Sequence, residues 1–295
     1  MIKGTTKLLG VIGHPIAHSL SPAMHNAAIF HLGVDFVYLP FPVKPEDLKA
    51  ALAGFGAIDL WGFSITIPHK QTILPLLSSV SPIARAIGAV NTVYRTDKGW
   101  CGTNTDVEGF LAPLQTPTYQ AREGSDWSQK VAVILGNGGA ARAVVAGCAQ
   151  LGCAEIHVVG RNTQNLAEFQ QSWVNSPMPM QNLQVHTWDD LSMLISQADL
   201  LVNTTPVGMY PHGEKSPVSA AALDRISVGA IVYDLIYTPN PTQFLKDAQL
   251  RGAIVIDGLE MLVQQGVAAL KIWLDTESVP VDVMRQALRQ HLGLD

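Results

Sequence analysis

Cysteine is scarce: a chain of 295 residues has three, Cys101, Cys148 and Cys153. The number is odd and the spacing matches no zinc pattern, so they read as free thiols in a reducing compartment. Charge is sparse too. Charged residues make up 15% of the chain, and 19 Lys+Arg stand against 24 Asp+Glu for a net charge of -5. A dedicated nucleic-acid binder carries a basic surplus, so that class is excluded, though a local cationic site for one phosphate is not. No apolar run reaches the ~18 residues of a membrane span. The start, Met1–Lys7, lacks a following apolar core with a small-residue cleavage site, so no secretory signal is expected. These absences leave a cytoplasmic protein as the expectation. What is abundant is apolar surface: 47% of residues are hydrophobic. With so low a net charge, that excludes disorder over most of the chain. At ~150 residues per domain the length allows two domains, each able to bury a core.

Apolar runs alternate with helical patterns in the first third, which implies an α/β layer. Leu8–Gly13, Phe36–Phe41 and Leu60–Thr66 read as strands. Ser21 before Pro22 reads as an N-cap with proline at the first helical position, opening a helix that stops near Gly33. A second helix starts at Pro45 and ends near Gly54 to Gly56. Ala89–Tyr94 and Trp100–Thr103 read as a pair around the turn Thr96–Gly99. A helix follows from about Asp106 to Leu114, and the polar stretch Gln115–Gln129 reads as exposed loop.

The pattern restarts at Lys130. A buried strand to Leu135 runs into Gly136, Asn137, Gly138, Gly139 and Ala140, then a helix to Leu151, then a second strand, Glu155–Val159. This is a βαβ unit with a glycine-rich first turn, the context a dinucleotide fingerprint needs. Gly136 allows the tight turn, Gly138 lets backbone approach a pyrophosphate, and Gly139 and Ala140 open a helix whose N-terminus attracts the anion. An NAD site has an acidic residue at the end of the second strand. Here that strand ends in Gly160, Arg161 and Asn162, with no carboxylate and an arginine placed for a 2′-phosphate. That argues for NADP. Ala198–Asn203, Ala230–Leu235 and Ala253–Asp257 read as further buried strands, and Glu260–Leu274 and Val281–Leu292 as closing helices.

Small hydroxyls and amides cluster at strand ends in the N-terminal half: Ser19 and Ser21, then Ser64 to Lys70, then Gly88 to Thr92, then Gly102 to Asp106. Open α/β sheets bind ligands there. Such a set suits a small polyhydroxylated acid. A carbonyl being reduced needs a proton donor, and a lysine beside a carboxylate fills that role. Lys70 and Asp106 are the candidates. His14 and His18 have ligand-like spacing without a third ligand nearby, so no metal is expected. His69 reads as a packing or hydrogen-bonding neighbour of the lysine rather than a second acid.

The motifs Ser-Leu-Ser-Pro, Thr-Ile-Pro-His-Lys, Gly-Ala-Val-Asn-Thr, Asn-Thr-Asp, Gly-Asn-Gly-Gly-Ala and Asp-Gly-Leu-Glu-Met-Leu-Val-Gln-Gln succeed one another in this order. In this the chain resembles the shikimate dehydrogenase family, from about Leu8 to the C-terminus. Any one motif is weak, whereas the ordered set is specific. The resemblance implies reduction of 3-dehydroshikimate to shikimate with NADPH, on the route to aromatic amino acids. It implies that Ser19 and Ser21 hold the substrate carboxylate and that Thr66, Asn91 and Asp106 contact ring hydroxyls. It makes Lys70 the catalytic lysine with Asp106 as its partner. Tyr237 and Gln265 match substrate contacts, and Leu235 and Gly258 match residues lining the nicotinamide. Gly160-Arg161-Asn162 falls where the family often has Asn-Arg-Thr.

The expected architecture is therefore α/β with two domains. Residues 1–105 form an α/β substrate domain, to which C-terminal helices (259–295) return. Residues 106–258 form a doubly wound, Rossmann-like NADP domain, and the site lies in the cleft between the two. The partners expected are small molecules, with no nucleic acid and no membrane, and a homodimer is left open. Two rival readings remain. A dual quinate/shikimate dehydrogenase often uses NAD, and Arg161 leans against it. A non-catalytic dinucleotide-sensing protein has no need of both Lys70 and Asp106.

Overall fold

A computed structural model of the chain describes residues 2–116, 119, 126–174, 176–178 and 180–294. Much of the expected polar loop, residues 117, 118 and 120–125, lies outside the described residues. The chain divides into two compact units. The first runs to Gly109 and resumes at Leu262, and the second is Phe110–Met261.

The first unit is built on β1 (Lys7–Gly13), α1 (Ser21–Leu32), β2 (Phe36–Pro42), α2 (Leu48–Ala57), β3 (Gly62–Ile65), α3 (His69–Thr72), β4 (Ser79–Val80), α4 (Pro82–Ile87), β5 (Thr92–Thr96) and β6 (Gly99–Thr103). Its sheet has the order β2-β1-β3-β5-β6-β4. The strands β1, β2 and β3 are parallel, β5 runs antiparallel to β3, and β6 antiparallel to β5. Register aligns the strand ends. Ile12 lies beside Ile65, Ser64 beside Thr92, and Thr92 beside Thr103. The C-terminal ends of β1, β3 and β6 and the start of β5 therefore share one edge. Every hydroxyl- and amide-rich segment of the N-terminal half leaves the sheet there. Ile12, Leu52, Phe55, Leu60, Phe63, Ile65, Ile73 and Val93 pack beneath it as one apolar cluster. Each such side chain contributes about 1.5–3 kcal/mol by leaving water.

The start of α1 differs from the N-cap expected at Ser21. Leu20 occupies the cap position with helical backbone angles, Ser21 is the first helical residue, and Pro22 follows within the first turn. The physical reason is local. The Ser19 hydroxyl already accepts the Ser21 N–H (3.4 Å), and the Met24 N–H reaches Leu20 O (3.3 Å). Gly33 ends the helix in the left-handed region (φ 66°), returning its N–H to Phe30 O.

The second unit holds β7 (Val131–Leu135), β8 (Glu155–Gly160), β9 (Leu183–Thr187), β10 (Leu200–Asn203), β11 (Ile231–Asp234) and β12 (Ile254–Ile256). All their pairings are parallel, in the order β12-β11-β10-β7-β8-β9. Counted along the chain this is the doubly wound 3-2-1-4-5-6 arrangement, which binds ligands outside the strand C-termini where the order reverses, here between β7 and β10. The helices of the chain's second half are α5 (Asp106–Leu114), α6 (Gly139–Leu151), α7 (Thr163–Val174), α8 (Leu191–Ile195), α9 (Ala220–Leu223), α10 (Gln243–Gln249), α11 (Leu259–Leu274) and α12 (Val281–Leu292). The unit boundaries fall inside α5 and α11. Within the first unit, α12 lies against α1 and buries Met284 and Leu288. Gly266 on α11 permits a close approach, since a Cβ there would stand 2.5 Å from Met24 Cε. Cys101, Cys148 and Cys153 are buried free thiols. Among the described residues no helix is long and apolar enough to cross a membrane.

Candidate active site

The first unit's site grows from one short turn. After β3 the chain passes Pro68 into α3, where His69 is fully buried and its Nε2 lies 2.7 Å from Val43 O. A carbonyl only accepts, so Nε2 carries the proton. That bond pins the turn, and the next residue, Lys70, directs its amine to the sheet edge. The Lys70 carbonyl accepts the Val90 N–H at 2.8 Å, tying α3 to the segment before β5.

Asp106 comes from 36 positions further along. It opens α5, whose N-terminus favours a carboxylate. Lys70 Nζ donates to Asp106 Oδ2 at 2.5 Å, and Asn91 Nδ2 donates to Oδ1 at 2.8 Å. The side chains of Lys70 and Asp106 are 18% and 7% exposed, so the pair stands at the rim of the buried layer. Asn91 is itself fixed. Its Oδ1 accepts the Thr105 N–H (2.7 Å) and the Thr92 hydroxyl (3.0 Å), which leaves only the amide nitrogen to face Asp106. Asn104 accepts the Asp106 N–H (2.9 Å) and donates to Ala89 O (3.1 Å). Gln265 Oε1 reaches Asn91 Nδ2 at 3.5 Å. An ammonium has three donors and the carboxylate uses one. The arrangement holds a proton donor in a defined direction with its partner carboxylate bound at both oxygens.

Lys70, Asp106, Asn91 and Gln265 are thus brought into one network. Thr66 lies four positions before Lys70, outside that network; its carbonyl accepts the His69 N–H (3.1 Å), and its methyl lies against Gly13 at the end of β1. Ser19, half-buried, and Ser21, buried, follow β1 at the same sheet edge. Sequence reading gave no role to Thr92, Asn104 or Thr105. The signal was present, because all three lie in motifs already singled out, but their burial and direction are tertiary facts.

Beneath Ser21 lies His25, fully buried and stacked on Tyr38 (4.1 Å between rings, 8° apart), with Nδ1 bonded to Ser21 O at 2.8 Å. Burial pushes its pKa down to about 4 against the pull of that hydrogen bond. Unfolded, the imidazole protonates near 6.5, so between pH 6.5 and 4 the unfolded chain binds more protons. The His25 contribution to stability is expected to fall by about 3 kcal/mol as pH drops through that window. Urea unfolding at pH 7 and pH 4 checks this. The difference in stability between wild type and His25→Gln is expected to shift by that amount between the two pH values, and an unchanged difference would show that His25 makes no such contribution.

The second unit offers a different kind of site. Gly136 follows β7 with φ 104°, a left-handed conformation that glycine adopts freely, and donates to Val159 O at 2.8 Å. Asn137 lies beside Gly160, whose Cβ position is 3.5 Å from Asn137 Cγ. Gly138 caps α6 with no side chain bonded there, and a Cβ on it would meet nothing within 4 Å. The first N–H groups of α6, from Gly139 and Ala140, thus open onto free space with no acid in the first turn. That is the chemistry of an anion cradle. Arg161 is exposed just beyond β8. Asn162, also assigned to the cofactor, uses its Oδ1 to accept the Asn165 N–H (2.9 Å) and so caps α7. Across the switch point, Leu235 follows β11. Gly258 admits no side chain, since a Cβ would lie 2.3 Å from Leu235 O, and its N–H bonds to Ile236 O at 3.3 Å. Tyr237, half-buried, is two residues beyond Leu235. The glycine turn, Arg161, Leu235, Tyr237 and Gly258 all belong to the second unit.

Comparison with known proteins agrees across the chain. The family model for the shikimate dehydrogenase substrate binding domain matches residues 11–93, and that for the shikimate 5′-dehydrogenase C-terminal domain matches residues 258–289. A protein of Nostoc sp. named shikimate dehydrogenase (NADP(+)) is 69% identical over 294 residues, covering 100% of both chains. A shikimate dehydrogenase solved in complex with NADP+ superposes with a TM-score of 0.86 at 35% identity, covering 99% of this chain and 98% of its own. The enzyme from Thermus thermophilus, solved with NADP(H) and shikimate, gives a TM-score of 0.80 at 33% identity, covering 97% and 99%. The chain belongs to the shikimate dehydrogenase family.

Proposed function

We propose that this protein catalyses the reversible, NADPH-dependent reduction of 3-dehydroshikimate to shikimate. The observation that carries the reading is the Lys70–Asp106 pair, aligned by Asn91 at a sheet edge rich in hydroxyls. We assign substrate to the first unit and NADP to the second. Ser19 and Ser21 hold the substrate carboxylate, while Thr66, Asn91, Asp106 and Gln265 take ring hydroxyls, and Tyr237 is assigned to substrate as well. The open cradle at Gly136–Ala140 fits a pyrophosphate, and Arg161 fits a 2′-phosphate. Leu235 and Gly258 offer an apolar wall for a nicotinamide. Bound there, NADPH supplies the hydride for the ketone carbon. Lys70 donates a proton to the oxygen on which charge develops, and is reprotonated from water once product leaves. Asp106 keeps the amine aimed at that oxygen. General acid help of this kind is worth about 10²–10⁴-fold. Three free thiols fit a reducing compartment, and we place the protein in the cytoplasm.

Purified protein with shikimate and NADP tests the reading through absorbance at the NADPH band. NADPH is expected to accumulate, with far lower rates for NAD or for quinate. No reduction of NADP by shikimate would end the reading, and preference for quinate with NAD would select the dual-specificity alternative. Arg161→Ala is expected to raise the KM for NADP about 10–100-fold, the worth of charge-assisted hydrogen bonds to a phosphate, and to leave NAD turnover unchanged. An unaltered KM for NADP would mean that the 2′-phosphate is held elsewhere.

A further inference from the structure

We propose that Asp234, outside both assigned sites, is a positioning residue that sets Leu235 and Tyr237 against nicotinamide and substrate. It ends β11 and is fully buried. Its Oδ1 accepts Asn203 Nδ2 (2.9 Å) and the Ile236 N–H (3.1 Å), and its Oδ2 accepts the Thr242 hydroxyl (2.7 Å). Asn203 is the register partner of Asp234 at the end of β10, and it fixes the next turn by accepting the Thr205 N–H and hydroxyl (3.0 and 2.7 Å). Thr242 caps α10 by accepting the Leu245 N–H (3.3 Å). A single carboxylate therefore joins two neighbouring strand ends and closes both ends of the segment 235–241. Gly258 lies close against the same segment, since a Cβ on it would stand 2.3 Å from Leu235 O, and its N–H bonds to Ile236 O at 3.3 Å. The Leu235 N–H itself donates to Asn203 O at 3.1 Å, so the start of the segment is tied to β10 as well.

The chemistry of the choice supports a positioning role. Burial pushes the Asp234 carboxyl up to about 6, and the nearby Asp257 adds to that. A buried charge is poor material for stability, where a packed apolar residue does as well or better. What a carboxylate offers is several acceptor positions on two oxygens, at fixed angles, for donors from three separate elements.

The inference rests on the proposed function, and its test separates the two. Wild-type protein that forms no NADPH from shikimate defeats the functional reading. With an active wild type, Asp234→Ala is expected to lower kcat about 10–100-fold, as sub-ångström to 1 Å misplacement does, and to raise the KM for shikimate. Affinity for 2′,5′-ADP, which reaches only the adenosine half of the cofactor site, is expected to stay unchanged. Asp234→Asn keeps the shape and one acceptor oxygen, and is expected to fall between the two in kcat. A merely structural role predicts a lower melting temperature with wild-type kcat and KM in the folded fraction, or loss of 2′,5′-ADP binding in step with turnover. Either result overturns the proposal. If Asp234→Ala does not fold, Asp234→Asn decides: reduced kcat with intact 2′,5′-ADP binding supports it, and wild-type kcat overturns it.

Discussion

Lys70→Ala is expected to lower kcat about 10²–10⁴-fold while NADPH binds as tightly as before. The substitution removes the one ammonium that the network at the sheet edge holds among the described residues. Asn91 and Asp106 keep their mutual bond of 2.8 Å, so the shell proposed to receive the substrate hydroxyls survives. The loss therefore falls on the chemical step and much less on the KM for shikimate. The side chain of Lys70 is only 18% exposed and its partner Asp106 7%, so truncation leaves a buried carboxylate without its cation and stability is expected to drop by about 1–3 kcal/mol. Steady-state kinetics together with a fluorescence titration of bound NADPH check both halves. Unchanged turnover would reassign the proton to another donor.

Asp106→Ala is expected to have the second-largest effect, and of a different kind. It strips the acceptor from Lys70 Nζ and from Asn91 Nδ2 together. The lysine then samples other rotamers, and the loss of aim alone is worth about 10²-fold in kcat. A buried amide donor left without its acceptor costs about 1–3 kcal/mol, so the melting temperature is expected to drop as well. The KM for shikimate is expected to rise, because Asp106 is also a proposed hydroxyl contact. Asp106→Asn keeps one acceptor oxygen but sets an NH₂ beside one of the two donors, and is expected to fall between alanine and wild type. A stable Asp106→Ala protein with wild-type kinetics would strip the carboxylate of its role.

Much of this was legible in the residues, for identifiable reasons. Apolar runs marked β7, β8, β10 and β11 within one or two residues, because fully buried parallel strands are apolar on both faces. Gly136 announced its own φ of 104°, since a tight strand-to-helix turn demands it. The Lys70–Asp106 pairing was inferred from chemistry and family likeness, and the structure places the two atoms in contact. Other features were not legible. The two-residue β4 and the short helices α4, α8 and α9 are held by tertiary packing and leave little periodic trace. At Ser21 the N-cap rule was overridden because a hydroxyl two residues earlier takes the free N–H. Asp234 looked like the polar stop of an apolar strand, and only its complete burial with three donors around it shows otherwise.

The most direct test of the central claim, that amine and carboxylate act as one unit on a single proton, is a double-mutant cycle on kcat. Lys70→Ala, Asp106→Ala and the double variant are compared with wild type under saturating NADP and shikimate. If the carboxylate acts by aiming the amine, the double variant loses no more turnover than Lys70→Ala alone. If the two losses multiply, each side chain works independently and the account is contradicted.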